Sequence, residues 1–430
     1  MIHTKNIISP ENKKNKNNQL LVTVSGADRP GITAMLSEHI HKANLQILDM
    51  GQAVISGFLT LSILVKDQDL QNHQEEELKA SLEFLKNILF ECKELGLQVD
   101  FKLLPPQLPK QSNQAISNQN HQYALTCVAI QRLEAAFISS VTKLISTYFF
   151  NIKNIEHKSN AEEFRVIEFI LESTQTPQDL INFKNELWHL SKKFKVDMAI
   201  NDNDVFRFSK RLVVFDMDST LIEQEVIDEL AHSFGVGEKV KIITERAMQG
   251  EIDFKESLIQ RVAQLKGMKK QQFENIKQKL TFTSGTEETL KVLKGLGLKT
   301  AVISGGFQEF TQYVATQLGL NYSFGNQLEW SNDQLTGNLI GPIIDAEMKA
   351  SILNDLAQLE EIHLKQTVAV GDGSNDLKML ALAGMGVAFH AKEIVRVHSS
   401  RHLSHGKMSA LLCMLGVPWN FWPKENKDIT

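Results

Sequence analysis

The sequence predicts an α/β protein: a Rossmann-like, doubly wound parallel sheet with a helical cap, preceded by two α+β, ferredoxin-like βαββαβ units. Three observations carry this prediction. The same strand and helix order occurs on both sides of a segment rich in proline, glutamine and asparagine; short apolar strands alternate with helices from Arg211 onward; and each of those later strands ends in a polar or glycine-rich cluster. Alternating strands and helices cover both faces of a parallel sheet, whose chemistry then sits at the carboxyl ends of its strands.

Taken in order, residues 1–18 are polar, lack an apolar segment and read as a flexible tail rather than a secretion signal. Residues 19–104 give the first unit: strand "LLVTVSG", helix "ITAMLSEHIHKA", β-rich stretches at 45–51 and 54–65, helix "QEEELKASLEFLKNILFECKELG" and strand "LQVDFKLL". In its "SGADRPGIT", Gly26 and Gly31 permit unusual backbone angles and Pro30 suits the first turn of the helix. Free N–H groups at that helix start can hold an amino-acid carboxylate. Residues 105–121 carry prolines with Gln, Asn and Ser and no apolar period, so they read as a linker. Residues 122–203 repeat the order with "YALTCVAI", "EAAFISSVTKLISTYFF", "NIKNIEHK", "FRVIEFILES", "PQDLINFKNELWHLSKKF" and "KVDMAI".

Residues 204–425 form the doubly wound domain, with strands in "LVVFDMD", "KTAVISGG", "QTVAVGDG" and "GVAFHA". Between the first two, residues 226 to about 285 are helical and amphipathic, an insertion placed to cover the strand ends as a cap. "NQLEWSNDQLTGN" reads as a hairpin turning at Asn332–Asp333.

Composition narrows the function. No apolar run approaches the roughly 20 residues that cross a bilayer, so a membrane span is excluded and the cytoplasm is expected. A net charge of −5 without a basic stripe leaves no footprint for nucleic acid. Cys92, Cys127 and Cys413 show no CxxC or Cys/His spacing, which makes them small buried residues rather than a disulfide framework or a zinc site. Small-molecule chemistry remains.

The strand Leu212–Phe215 drives straight into Asp216 and Asp218, with Glu223 and Glu225 close behind. Like charges this close need a cation or a shared proton. Asp216 and Asp218 suit a hard cation such as Mg²⁺, which prefers oxygen ligands and substrate phosphate oxygens. Asp372 and Asp376 in "VGDGSND" end another strand, where Gly371 and Gly373 permit a tight turn. Ser304 and the N–H groups of Gly305 and Gly306 suit phosphate oxygens, and Lys349 adds a positive charge on a helix. A calcium loop fails on spacing. Started at Asp216 it needs glycine where Leu221 stands and glutamate where Ile227 stands; started at Asp372 it meets Ala383 at the twelfth position.

"DMDST", "ISGG", Lys349 and "GDGSND" resemble the four motifs of the haloacid dehalogenase superfamily of aspartate-nucleophile phosphatases. "FDMDSTLIEQEVIDELA", "TERAMQGEIDFKESLIQRV" and "VGDGSNDLKMLALAGMGVAFHAK" resemble, within it, the phosphoserine phosphatase family, over residues 211 to 420. "VSGADRPGIT" is similar to the first loop and helix of ACT domains, βαββαβ amino-acid-sensing modules; the second unit has "VAIQRLEAAF" there and is a degenerate copy.

The resemblance implies Mg²⁺-dependent hydrolysis of O-phospho-L-serine to serine and phosphate, the final step of serine biosynthesis. Asp216 would be the nucleophile and Asp218 the general acid and base. The metal ligands would be Asp216, the backbone carbonyl of Asp218, and Asp372, with Asp376 supporting. Ser304, Gly305, Lys349 and Asn375 match contacts to phosphate or substrate, and Glu225 and Arg261 match the family's serine-binding positions, an anion for the ammonium and a fork for the carboxylate. Phe254 and Met248 would be cap core or a shield against water. A homodimer, with serine or another amino acid as effector at the first ACT-like unit, is the corresponding expectation for partners. Two other readings differ in outcome: transfer of the phosphoryl group to another amino-acid alcohol, and a noncatalytic amino-acid sensor.

Overall fold

The computed structural model describes residues 19–67, 74–104, 121–130, 132–159, 164–173, 177–392, 395–396, 399, 401–418 and 421–422. The expected tail, and all of the expected linker but its last residue, lie outside them. The chain divides into two units, Met1–Ser117 and Asn118–Thr430.

In the first unit, β1 (Gln19–Ala27), α1 (Ile32–Lys42), β2 (Leu45–Ile55), β3 (Phe58–Asp67), α2 (Gln74–Glu94) and β4 (Gln98–Leu104) follow in βαββαβ order. They form an antiparallel sheet of order β2-β3-β1-β4. Alternate residues Leu59, Leu61, Ile63 and Val65 of β3 share a face with Val22 and Val24 of β1. That face buries Ile32, Leu36 and Ile40 of α1 and Phe84, Ile88 and Cys92 of α2, the period of two meeting the period of four. The β2–β3 hairpin is longer than the sequence suggests, because Ser56 and Gly57 both take positive φ and make a two-residue turn. Gly31 enters α1 at φ 98°, a left-handed angle that a Cβ would strain. Pro30 therefore lies in the turn before the helix and not in its first turn.

In the second unit, β5 (His121–Ala129), α3 (Ala135–Thr147), β6 (Asn151–His157), β7 (Arg165–Ser173), α4 (Pro177–Phe194) and β8 (Val196–Asp202) repeat the order and the pairing, β6-β7-β5-β8. The strands β9 (Leu212–Phe215), β10 (Lys299–Phe307), β11 (Tyr322–Ser331), β12 (Gln334–Ile340), β13 (Thr367–Gly371), β14 (Met385–Phe389) and β15 (Arg401–Leu403) follow. They lie in the order β12-β11-β10-β9-β13-β14-β15, parallel from β11 to β15. Helices α9 (Thr286–Gly295), α10 (Gln308–Leu318), α11 (Ala346–Leu359) and α12 (Leu377–Leu382) connect them.

The two sheets are one. β15 pairs antiparallel with β8, His402 opposite Met198 and Arg401 opposite Ala199, giving an 11-stranded sheet. The strand sequences show why this end differs from its counterpart in the first unit. β8 is buried on both faces from Val196 to Asn201, whereas β4 alternates. Asp197 of β8 accepts the backbone N–H groups of Ser404 (2.7 Å) and Gly406 (2.8 Å), tying down the segment after β15.

The insertion after β9 forms α5 (Val226–Ser233), α6 (Gly237–Met248), α7 (Phe254–Ala263) and α8 (Lys270–Lys277). Leu230, Val240, Leu258, Val262 and Phe273 bury their apolar faces in the main core. The β11–β12 hairpin turns at Asn332 and Asp333, both with positive φ, and braces this cap: Gly267 N–H donates to Leu335 O (2.8 Å) and Leu335 N–H to Met268 O (3.0 Å). Among the described residues no helix is long and apolar enough to cross a membrane.

Candidate active site

The carboxyl ends of β9, β10 and β13 converge under the cap on a cavity of about 180 Å³. Asp216, Asp218, Glu225, Arg261, Ser304, Gly305, Asp372 and Asn375 all line it; Lys349 and Asp376 lie behind its wall. Asp216 leaves β9 with its N–H on Val370 O (2.9 Å), and its Oδ1 accepts the N–H of Met217 (2.7 Å). Met217–Leu221 then makes an irregular turn in which Ser219 has φ 54°, so the chain reverses and returns Asp218 to the cavity.

Lys349, reaching in from α11, is fully buried with its Nζ 2.8 Å from Asp216 Oδ2 and 2.7 Å from Asp376 Oδ1. The second oxygen of Asp376 accepts the N–H of Gly373 (3.0 Å). Both Asp376 oxygens are therefore engaged, while Asp216 and Asp372 line the cavity itself. A Cβ at Gly371 would lie 2.5 Å from the Asp376 carboxylate. Glycine is needed there for close approach and not, as the sequence suggests, for a turn; neither Gly371 nor Gly373 has positive φ.

Burial pushes Asp216 well above the ordinary carboxylate range, Asp376 adds to this, and Lys349 opposes it. Burial also pushes Asp372 up to about 7, with Asp376 and Glu225 adding, against Lys392 and the Thr220 hydroxyl, which donates to Asp372 Oδ1 at 3.2 Å. Burial alone would lower Lys349, but Asp216 and Asp376 hold it raised. Three buried carboxylates thus have oxygens within 4.8 Å of one another, and the one fully buried lysine among the described residues pairs with two of them, Asp216 and Asp376. The donor set is all hard oxygen and short of positive charge, which fits a divalent cation such as Mg²⁺.

Asp218 is pushed up to about 7 by burial and by Glu225, while the Val226 N–H (3.0 Å to Oδ1), Lys349 and the Ser304 hydroxyl (3.4 Å to Oδ2) oppose. Ser304 Oγ also accepts the Gly306 N–H at 2.8 Å. That N–H is turned onto the serine, so it is not the free phosphate donor the sequence suggests. On the cap side, burial lowers Arg261, and Asp228, Glu225 and Asp218 oppose. Glu225 accepts the Ser219 hydroxyl (2.9 Å) at the start of α5. Phe254 lines the cavity; Met248 does not, being 75% exposed at the end of α6, whose inward face is Val240 and Ile243.

Three residues enter that motif reading alone does not single out. Thr220 holds Asp372, Lys392 lines the cavity, and buried Asn326 donates to Gly305 O (2.7 Å) while accepting Ile344 N–H (2.8 Å), which pins the loop after β10. The only signal for Asn326 is an amide inside the strand "YSFGNQLEW".

Comparison with known proteins agrees with this geometry. Residues 210–384 match the haloacid dehalogenase-like hydrolase family and residues 18–102 the ACT domain. Phosphoserine phosphatase SerB2 of Mycobacterium tuberculosis is 33% identical over 401 residues, 93% of this chain and 93% of that protein. The phosphoserine phosphatase of Archaeoglobus fulgidus is 43% identical over 60% of this chain and 74% of its own. The crystal structure of a haloacid dehalogenase family hydrolase from Salmonella enterica superposes with a TM-score of 0.60 at 31% identity, covering 68% of this chain and 98% of that one. With the carboxylate and lysine cluster at the ends of β9 and β13, and with relatives matched across nearly the whole length, the chain belongs to the phosphoserine phosphatase family of haloacid dehalogenase-like hydrolases, with an ACT domain at its N-terminal end.

Proposed function

We propose that this protein hydrolyses O-phospho-L-serine to L-serine and phosphate through a phosphoryl group carried on Asp216, in the cytoplasm, as the last step of serine biosynthesis. One observation carries the reading. Asp216, Asp218 and Ser304, suited to a phosphate, and Glu225 and Arg261, suited to an amino acid's ammonium and carboxylate, line the same small cavity.

Lys349 fixes Asp216 Oδ2 and so keeps the carboxylate from turning away. The Asp216 carboxylate attacks phosphorus as the bond to the serine oxygen breaks, and Asp218 gives that oxygen its proton. Asp218 then takes a proton from water, which attacks the aspartyl-phosphate and frees Asp216 and phosphate. A group pushed up to about 7 serves both halves at neutral pH. Asp216, the Asp218 backbone carbonyl and Asp372 would hold Mg²⁺, whose charge offsets the repulsion between carboxylate and phosphate. Asp376 acts at one remove, by holding Lys349. Phe254 and the cap keep bulk water from the cavity.

We assign residues 19–104 and 122–203 as ACT-like domains and 204–425 as the phosphatase domain, and we expect a homodimer with serine or another amino acid as effector at the first of them. The central test is Asp216→Asn. The folded variant should release no phosphate from phosphoserine with Mg²⁺ present, and acid-quenched wild-type enzyme should carry phosphorus on Asp216. Turnover by the variant would remove the nucleophile.

A further inference from the structure

A second cavity, of about 250 Å³, lies at the opposite end of the parallel strands, where β8 meets the amino ends of β13 and β14. It shares no lining residue with the catalytic cavity. Lys210, Lys365, Arg207 and Arg401 bring four cationic side chains to it, against Asp202 and Asp204. Arg207 is taken up by Glu168, and Lys365 by Asp204 at 3.1 Å. Lys210 and Arg401 make their hydrogen bonds to neutral oxygens: Lys210 Nζ to Lys365 O (2.6 Å) and Arg401 Nε to Asn201 Oδ1 (2.6 Å). Asp204, already paired with Lys365, and Asp202, which is exposed to solvent screening, act on Lys210 from a distance, and Asp202 alone of the lining carboxylates acts on Arg401.

Two half-buried cations beside one another repel, and an anion that joins them relieves the cost. Burial and then Arg401 push Lys210 down to about 8, against Asp204 and Asp202, and burial pushes Arg401 down to about 10 with Asp202 opposing.

We infer that this cavity is a second anion site, built to take a phosphate group, free or as a small monoester. The Arg401 guanidinium offers two donors in a fixed fork and Lys210 a movable point charge, a set that matches the several oxygens of a phosphate. The volume is below the range of drug-sized pockets and suits a small phosphate better than a nucleotide. Leu382, Met385 and Met414 give it an apolar wall suited to a short carbon chain. The inference stands whether or not phosphoserine is the substrate of the catalytic cavity.

Met385 and Met414 are reporters built into the wall, and Met217, beside Asp218, is a control for the catalytic cavity. The full chain, labelled with ¹³C at methionine methyls, is titrated at constant ionic strength with inorganic phosphate, glycerol 3-phosphate and malonate. Saturable shifts of the Met385 and Met414 methyls with either phosphate are expected, and whichever binds more tightly identifies the source. Arg401→Gln and Lys210→Gln should each weaken that response at least tenfold and leave the Met217 response unchanged. Lys210 is only partly buried, so its variant keeps the test open if Arg401→Gln does not fold. Unmoved Met385 and Met414 methyls, an undiminished response in Lys210→Gln, or equal affinity for malonate would overturn the inference.

Discussion

Under the proposed function, substrate choice turns on Arg261. It sits on α7, partly buried, and among the described residues its guanidinium makes one hydrogen bond, a long one from Nε to Ser257 O (3.4 Å), which leaves its fork for a carboxylate. A charged hydrogen bond of this kind is worth about 1.5–3 kcal/mol. Arg261→Ala should therefore lower kcat/KM for phosphoserine roughly 10- to 100-fold and leave simple alkyl phosphates nearly untouched; unchanged selectivity in a paired assay would remove the residue from recognition. His402 governs a different property. It is 3% exposed, its Nδ1 has no hydrogen-bond partner among the described residues, its ring lies 5.3 Å from Trp188, and burial with Arg396 nearby pushes it down to about 4. The unfolded chain, at the ordinary histidine value of about 6.5, binds the extra proton first, so stability is lost as pH falls from about 6.5 towards 4. That loss amounts to about 3 kcal/mol from this one ring. Urea midpoints at pH 7 and pH 4.5 should differ less in His402→Gln than in the wild type, and an equal difference would place the acid sensitivity elsewhere.

At the scale of elements, the β8–β15 join depends on a buried carboxylate. Asp197 is 1% exposed and raised by burial, against the N–H groups of Ser404, Gly406 and His405. Asp197→Ala would orphan those donors and should cost about 2–3 kcal/mol in denaturant unfolding. Asp197→Asn keeps an acceptor and should cost less, an ordering that a merely electrostatic role would not produce. This join also marks where sequence reading stops. β9 is legible because four apolar residues run into acids, and the cap because its helices keep a 3.6-residue period. β15 is three residues long, too short to show a period, and its pairing with β8 spans about two hundred residues. Lys349 is legible as a positive charge on a helix, but its burial between Asp216 and Asp376 is not, since a lysine on a helix otherwise reads as a surface charge. Thr220 bonds Asp372 across 152 positions, a contact no local pattern encodes. Met248 reads as cap core or a shield against water because an amphipathic pattern does not say which flank of a face meets solvent.

For the whole molecule, the continuous sheet implies that the second βαββαβ unit and the phosphatase fold are one thermodynamic body. Val128, Phe164, Val166 and Ala199 belong to the same core cluster as Leu411, Leu412 and Trp422, and Phe164 packs 6.0 Å from Trp422. The first unit has a core of its own, built from Val22, Ile32, Leu61 and Phe84 with their neighbours. Deleting residues 1–117 should therefore leave a fragment that melts in one transition and keeps its turnover of phosphoserine. Deleting residues 1–203 is a different act. It strips β8 from β15, leaves an open strand edge with unpaired backbone groups, and uncovers Trp422 and the apolar helix Ala410–Met414 that packs on β5. Each large apolar side chain so exposed costs about 1.5–3 kcal/mol, and few domains have stability to spare for several of them. The shorter fragment should lose several kcal/mol relative to 118–430 and self-associate through the open edge, as thermal melting and light scattering would show. A monomeric 204–430 fragment with an unchanged melting temperature would mean that the sheet, though continuous in its hydrogen bonds, is not continuous in its stability.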